Sequence, residues 1–441
     1  IDFDDMLILA LEAFEKSPEL LETLQNKFTH VYVDEAQDIN PVQILLLEKL
    51  CEKALQWVVI GDDDQSIYGF RAADPSFLIN FAKRDSDLKD NVRQVHLGIN
   101  YRCPKEIVTF AIGHIEQNKE RLAKPVAGIH DTPNAIQLMP YSSLWEQVEM
   151  GIGIIKELLD KGVAPSQIAL LVRNHYALVA YLHALIPLDW PLYIKDDQLG
   201  FYNHWVVRDA QLYLSVVNGS YQAEPLLQLL AKLKLYLSQP SKDMLYKCSH
   251  LKMALDIVVS KVAEKGRPLA KKLLVVMTHG RGNSLAEQLD QFYDALGYRL
   301  AMIERANRGG YGAAMPLTIW ETYKWMAAAT PNYEKHLADQ KTFEGELAKL
   351  KFAKKGSGVA LMSLHGSKGL EFDHVIIGDL EKQILPAQQA LKDNTVLEEE
   401  RRLFYVGLTR AKRRVYLMYP KHCPSPFVPI KLREAIRPPN K

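Results

Sequence analysis

Two rhythms of apolar and polar positions run along this chain. Near the start, Val31-Tyr32-Val33 and Val58-Val59-Ile60 are short β-branched runs that stop abruptly at acids, Asp34-Glu35 after the first and Asp62-Asp63-Asp64 after the second. Continuous apolar runs of this length predict strands buried on both faces, as in a parallel sheet. Helical patterns surround them: acids lead residues 2–14, and Ser17-Pro18-Glu19 opens a second helix with proline at its first position. Gln94-Val95-His96-Leu97 reads as a further short strand, with a helix from Pro104 through Ile107, Phe110 and Ala111. A strand at 135–138, a helix at 145–159 and a strand at 166–173 continue the alternation and imply a second parallel-sheet region. From about residue 196 the rhythm becomes helical, with periodic stretches at 206–217, 225–237, 241–265, 285–296 and 317–328. Gly280-Arg281-Gly282 and Gly309-Gly310-Tyr311-Gly312 break this part; either could be a nucleic-acid-contacting loop or simply a turn. Strands return at 359–364, 374–377 and 415–418.

In open α/β sheets ligands bind beyond the carboxyl ends of the strands. That rule places Asp34, Glu35 and Gln65 at one mouth. An adjacent Asp and Glu there can divide the work, one carboxylate holding Mg²⁺ through water and its neighbour orienting an attacking water. Taken alone, the same pair also suits a helix N-cap followed by a first-turn charge. Tyr101-Arg102 offers an aromatic face for a purine and a fork of donors for phosphate oxygens, or equally a packing tyrosine and a solvated arginine. The turn His365-Gly366-Ser367-Lys368-Gly369-Leu370-Glu371 follows a buried strand, where glycines let backbone amides approach phosphate closely. His365 has no second ligand at helical spacing, which argues against a metal role. Residues 398–412 read as a helix feeding the strand at 415–418, and Arg401, Arg402, Lys412, Arg413 and Arg414 by themselves suit a solvated basic face. The sequence contains no G-x-x-x-x-G-K-[ST] phosphate loop.

Composition narrows the class without naming it. Across 441 residues, 48% hydrophobic and 24% charged content is ordinary for a globular protein of two to three domains. A net charge of +1 excludes a uniformly basic coat but not a local basic groove. Cys51, Cys103, Cys248 and Cys423 show no metal-ligand spacing and suggest incidental thiols in a reducing compartment. With no bilayer-spanning apolar run and no signal peptide, a cytoplasmic protein without membrane contact is expected. The Pro-rich basic stretch after Pro420 is expected to be flexible.

Asp34-Glu35-Ala36-Gln37-Asp38 and Gly61-Asp62-Asp63-Asp64-Gln65-Ser66-Ile67-Tyr68-Gly69-Phe70-Arg71 resemble the Walker B and neighbouring sensor segments of the superfamily 1 DNA helicases of the UvrD/Rep/PcrA type. Asn100-Tyr101-Arg102, the His365 turn and residues 398–412 extend that resemblance over nearly the whole chain. It implies an α/β fold of RecA-like P-loop NTPase lobes, the first incomplete, with an all-helical insertion in the second. Residues 1–91 would belong to the first lobe, 92–195 and 356–441 to the second with its basic tail, and 196–355 to the insertion. The implied activity is an ATP-dependent DNA helicase using ATP and Mg²⁺ on single-stranded DNA and single-strand/duplex junctions, among repair or replication proteins. In that scheme Asp34 binds the metal and Glu35 activates water. Gln65, Arg102 and the arginine finger Arg410 meet the γ-phosphate, Tyr101 stacks the base, and Glu371 holds the ribose. Tyr68, Phe70, Arg71 and His365 face the DNA strand. The family's Walker A loop lies upstream of a segment like Asp2-Phe3-Asp4-Asp5, so the chain is expected to lack the first part of the motor and to be inactive alone. Two other classes stay open: the helicase subunit of a DNA-end-resecting helicase-nuclease, and a non-catalytic DNA-binding or regulatory module.

Overall fold

The computed structural model describes residues 2–81, 93–195, 200–310, 312–354 and 356–428. Helix α1 (Phe3–Lys16) starts at Asp2, whose carboxylate accepts from the amides of Asp4 and Asp5. Helix α2 (Pro18–Gln25) begins at the expected proline. Strands β1 (His30–Val33) and β2 (Gln56–Val59) run parallel, with Val33 opposite Val59, and α3 (Pro41–Cys51) forms the crossover between them. Asn40 and Gln43 close a capping box at its start, satisfying amides that have no partner within the helix. Both strands form where the apolar runs predict them, but not with both faces covered. Val33 is buried while Tyr32 is 65% exposed. The reason is the size of the sheet: among the described residues these two strands pair only with each other, over a small core of Val33, Ala36, Ile44 and Phe77, the last from α4 (Ser76–Asn80).

Next come a separate two-stranded parallel pair and then a larger, drier six-stranded sheet. The strand expected at 94–97 does not form; Leu97 is 88% exposed, and the pairing segment is β3 (Ile99–Pro104). Asn100 decides this shift, because its side-chain oxygen accepts from the amides of Arg102 and Cys103 and shapes the strand locally. Helix α5 (Lys105–Ile115) follows Pro104, and β4 (Ala127–His130) pairs with β3. The chain continues through β5 (Ile136–Tyr141), α6 (Leu144–Asp160), β6 (Ile168–Val172), α7 (Leu178–Leu185) and β7 (Leu192–Ile194). A run of helices comes next: α8 (Trp205–Asn218), α9 (Ala223–Lys232), α10 (Gln239–Leu245), α11 (Leu251–Lys261), α12 (Arg267–His279), α13 (Leu285–Asp290), α14 (Tyr298–Arg308), α15 (Ala314–Ala328) and α16 (Tyr333–Leu350). The single helix expected over 241–265 is two, because His250 turns extended and caps α11 by accepting from the Met253 amide. Stacked aromatics fill this part, Tyr213 on Phe292 and Phe292 on Tyr298, with Tyr293 on Trp320 beside them.

Strands β8 (Val359–Ser363) and β9 (Phe372–Ile377), helix α17 (Asn394–Leu408) and β10 (Ala411–Pro420) complete the fold. The sheet is parallel throughout, in the order β5-β10-β9-β6-β8-β7, and every residue of β6 is buried. Because β7 and β8 are neighbours, the helical run leaves and rejoins the sheet at adjacent strands. The protein is therefore a mixed α/β fold built on parallel sheets. Contrary to the expectation after Pro420, the chain packs down again from Ser425: Ser425, Phe427 and Val428 are buried, with the Phe427 ring 4.8 Å from His114. The tail from residue 429 lies outside the described residues, as do residues at each of the three expected boundaries (91–92, 196 and 355). Among the described residues no helix is long and apolar enough to cross a membrane.

Candidate active site

The carboxyl ends of β1 and β2 open onto a cleft facing the six-stranded sheet. Glu35 has a left-handed backbone, φ 51°, which turns the chain sharply out of β1 and leaves Asp34 and Glu35 exposed. The Asp34 carboxylate accepts from the Glu35 amide at 2.9 Å. Buried Gln37 joins this loop to the next one. Its Nε2 donates to Glu35, its Oε1 accepts from the Asp62 amide at 3.0 Å, and its backbone carbonyl accepts from the Ser66 hydroxyl. Gly61 is needed here, since a Cβ would stand 2.5 Å from Gln37 Oε1. Buried Gln37 thus bonds both acidic loops, which ties them into one unit.

The six-stranded sheet and neighbouring β3 supply cations to the opposite wall. Arg410, after α17, is 2% exposed. Its guanidinium donates to the carbonyls of Val406 and Leu370 and, at 3.3 Å, to the side-chain oxygen of Gln65. Burial, with the neighbouring Arg102 charge, lowers its pKa to about 10, so it stays charged at neutral pH. Gln65 is held at both ends, because its amide nitrogen donates to Asp62 at 2.7 Å. Lys368 reaches from the turn after β8 to Asp38 and to the Gln65 carbonyl at 2.8 Å, with Glu35 3.9 Å away. Arg102 donates to Glu371 at 2.8 Å, and Lys412 takes the other Glu371 oxygen at 2.6 Å. Hydrogen bonds from Lys412 and then Arg102 lower the Glu371 pKa. Beside them the Tyr101 ring is 68% exposed, an open aromatic face.

Asp62, Asp63 and Asp64 look alike in sequence but sit differently from Asp34 and Glu35. Lys124 contacts all three, and Arg121 grips Asp64 with two bonds, 3.1 and 2.8 Å. Burial alone would lower the Lys124 pKa; the three carboxylates reverse that and raise it. At the cleft's outer edge four residues gather from both sides. Phe70 is 66% exposed and meets Tyr68 and His365 edge-on, at 5.9 and 5.7 Å, while Arg71 lies over both the Tyr68 and Phe70 rings. Burial, then the Arg173 and Arg71 charges, lowers the His365 pKa to about 3, so its ring is neutral.

Comparison with known proteins fits this geometry. Residues 1–86 match the UvrD/REP helicase N-terminal domain, and residues 95–291 and 327–422 match the UvrD-like helicase C-terminal domain. The chain belongs to the UvrD/REP helicase family. It is 30% identical over 434 residues to YjcD of Bacillus subtilis, covering 95% of this chain and 55% of that protein. It is 27% identical to the ATP-dependent DNA helicase PcrA of Leuconostoc citreum and 28% identical to PcrA of Staphylococcus epidermidis, covering 95% of this chain and 57% and 58% of theirs. The chain thus spans just over half the length of these relatives.

Sequence reasoning on this helicase-family chain singled out residues that the structure gathers into three groups: Asp34 with Glu35, Gln65 with Arg410, and Tyr68, Phe70 and Arg71 with His365. Arg102 and Glu371 were assigned separate ligand contacts, yet here they pair with each other. Lys368, Lys412, Arg121 and Lys124 were missed as partners of the site. Lys368 lies in a turn noticed only for its backbone amides, and Arg121 and Lys124 sit about sixty residues from the acids they meet, a pairing no local pattern announces. The basic face suggested for residues 401–414 is largely engaged: Arg402 is buried against the Glu120 carbonyl, Lys412 holds Glu371, and Arg413 pairs with Asp373.

Proposed function

We propose that this cleft binds and hydrolyses ATP, and that the intact protein uses the cycle to move along single-stranded DNA and open single-strand/duplex junctions. The observation that carries the reading is the meeting of Gln65, from the β1–β2 side, with Arg410, from the six-stranded sheet, across one cleft. A donor group reaching over a cleft can neutralise charge that develops on a transferring phosphoryl group. Two RecA-like lobes, residues 1–91 and 92–195 with 356–441, with a helical insertion over 196–355, are the architecture that goes with this activity. Pairing of β7 with β8 supports that division.

The donor set suits Mg²⁺. Asp34 and Glu35 are exposed hard oxygen donors, and Mg²⁺ usually keeps several waters while taking one or two carboxylates plus phosphate oxygens. When bound, it supplies charge neutralisation to the phosphates. Asp34 would hold it, and Glu35 would take a proton from the attacking water. Gln65 would orient that water through its carboxamide. Arg410 and Arg102 would meet the γ-phosphate, Arg102 leaving Glu371 to do so. Tyr101 would stack the adenine, and Glu371, retained by Lys412, would accept from a ribose hydroxyl. Phe70, Tyr68, Arg71 and His365 would carry DNA bases and backbone, because stacking tolerates any base.

The test is DNA-stimulated ATP turnover of the intact protein. Arg410→Ala should slow hydrolysis by roughly 10³–10⁵ while single-stranded DNA affinity holds. Arg410→Lys, which keeps a buried cation without the fork, should stay similarly slow. A loss below about tenfold in both would make Arg410 a structural arginine bonded to backbone carbonyls.

A further inference from the structure

Lys124 stands outside every role assigned so far, although it is enclosed at the edge of the cleft. It lies on a strap, residues 119–124, between α5 and β4. The amides of Lys119 and Glu120 donate to Glu398 of α17 at 2.9 and 3.4 Å, and Arg402 of α17 donates to the Glu120 carbonyl at 3.0 Å. From the strap, the Leu122 amide donates to Asp63 at 2.8 Å, Arg121 holds Asp64, and Lys124 reaches all three acids.

Asp62 is the joint. One of its carboxylate oxygens accepts from Lys124, and the other accepts from the Gln65 amide nitrogen at 2.7 Å. The Gln65 carboxamide oxygen then faces Arg410, at the far end of the same helix that anchors the strap. The bonds therefore form a closed circuit: α17, strap, Lys124, Asp62, Gln65, Arg410 and back to α17. A carboxamide has a donor end and an acceptor end, and swapping them would set the amide nitrogen against the Arg410 donor. Three consecutive carboxylates also repel one another unless a cation stands among them. Without Lys124, the Asp62 carboxylate loses the cation that holds it between the strap and Gln65; besides Gln65 itself it then keeps, among the described residues, the Asp64 amide at 3.2 Å.

We propose that Lys124 is a positioning residue that, through Asp62, orients the Gln65 carboxamide for hydrolysis. This rests on the reading of Gln65 as a hydrolytic residue. The experiment compares kcat, KM for ATP and DNA affinity in the intact protein for Lys124→Met, Lys124→Arg, Asp62→Ala, Gln65→Ala and the double variant Lys124→Met/Gln65→Ala. Lys124→Met and Asp62→Ala should each lower kcat about tenfold or more with KM and DNA affinity nearly unchanged, and Lys124→Arg should recover most of the loss. The double variant should be no slower than Gln65→Ala alone, since both changes act through one side chain. Asp62→Ala leaves Asp63 and Asp64 on Lys124, so it breaks the link even if Lys124→Met folds poorly. Normal kcat in Lys124→Met and Asp62→Ala beside a slow Gln65→Ala overturns this inference alone. Additive losses in the double variant also overturn it. A normal Gln65→Ala overturns both this inference and the reading beneath it.

Discussion

Two acidic clusters border the cleft about thirty residues apart, and they are treated in opposite ways. Asp34 and Glu35 are exposed, with Lys368 no closer to Glu35 than 3.9 Å. Asp63 and Asp64 are 1% and 0% exposed at the side chain and closely met by Lys124 and Arg121. A carboxylate that must take a metal or a proton needs solvent and free lone pairs, whereas one that holds two regions together needs a fixed cation. Acidity beside a strand end therefore says little about role. What matters is whether the fold has already neutralised the charge.

Asp64→Ala probes the buried side of this contrast most severely. Removing one partner of an enclosed ion pair typically costs about 3–5 kcal/mol, because the other charge is stranded. The variant should lower the unfolding midpoint by a corresponding amount, while Asp34→Ala leaves it almost unchanged. Equal midpoints for the two variants would show that the buried and open acids contribute alike to stability.

Asp379 is a third case, a buried carboxylate that no cation faces among the described residues. It is 3% exposed, its Oδ1 accepts from Gln147 at 3.0 Å, and its Oδ2 has no partner among the described residues. Burial raises its pKa to about 6, and burial together with Asp379 raises that of Glu381 to about 7. A carboxyl whose folded pKa lies above its unfolded value stabilises the fold least at high pH: the native state binds the extra proton, and stability falls as pH rises through that interval. A shift of this size corresponds to ~3 kcal/mol. Asp379→Asn should therefore stabilise the protein at pH 8 by up to that amount and lose the advantage below pH of about 4. Asparagine also suits the left-handed backbone there, φ 58°. A gain that does not depend on pH would mean the carboxylate is not charged in the native state at pH 8.

Phe70 extends the contrast to aromatics. An exposed ring beside Tyr68 and Arg71 suits a ligand face, so Phe70→Ala should weaken single-stranded DNA binding by about 1–3 kcal/mol with little base preference. Its melting temperature should hold. Unchanged affinity with a large fall in melting temperature would make Phe70 a packing residue.

Much of this arrangement was legible locally. The strand-then-acid pattern located β1, β2 and both clusters, and prolines located the starts of α2 and α5. Local pattern failed where a partner distant in sequence decided the outcome. Leu97 looked like a strand residue, but Asn100 and pairing with β4 put the strand later. Helices α12, α14 and α16 escaped notice because their buried stripes are thin; α14 buries only Tyr298, Met302 and Ala306 among charged neighbours. Only family resemblance brought His365 beside Phe70, and neither route brought Lys124 to Asp62.

In this reading the open pair Asp34 and Glu35 performs chemistry, while enclosed Asp63 and Asp64 hold the frame. Glu35→Gln separates these roles, since the change keeps shape and removes the base. DNA-stimulated ATP turnover should fall about 10²–10⁴-fold, with ATP binding and melting temperature preserved. Turnover near that of the unaltered protein would contradict that reading.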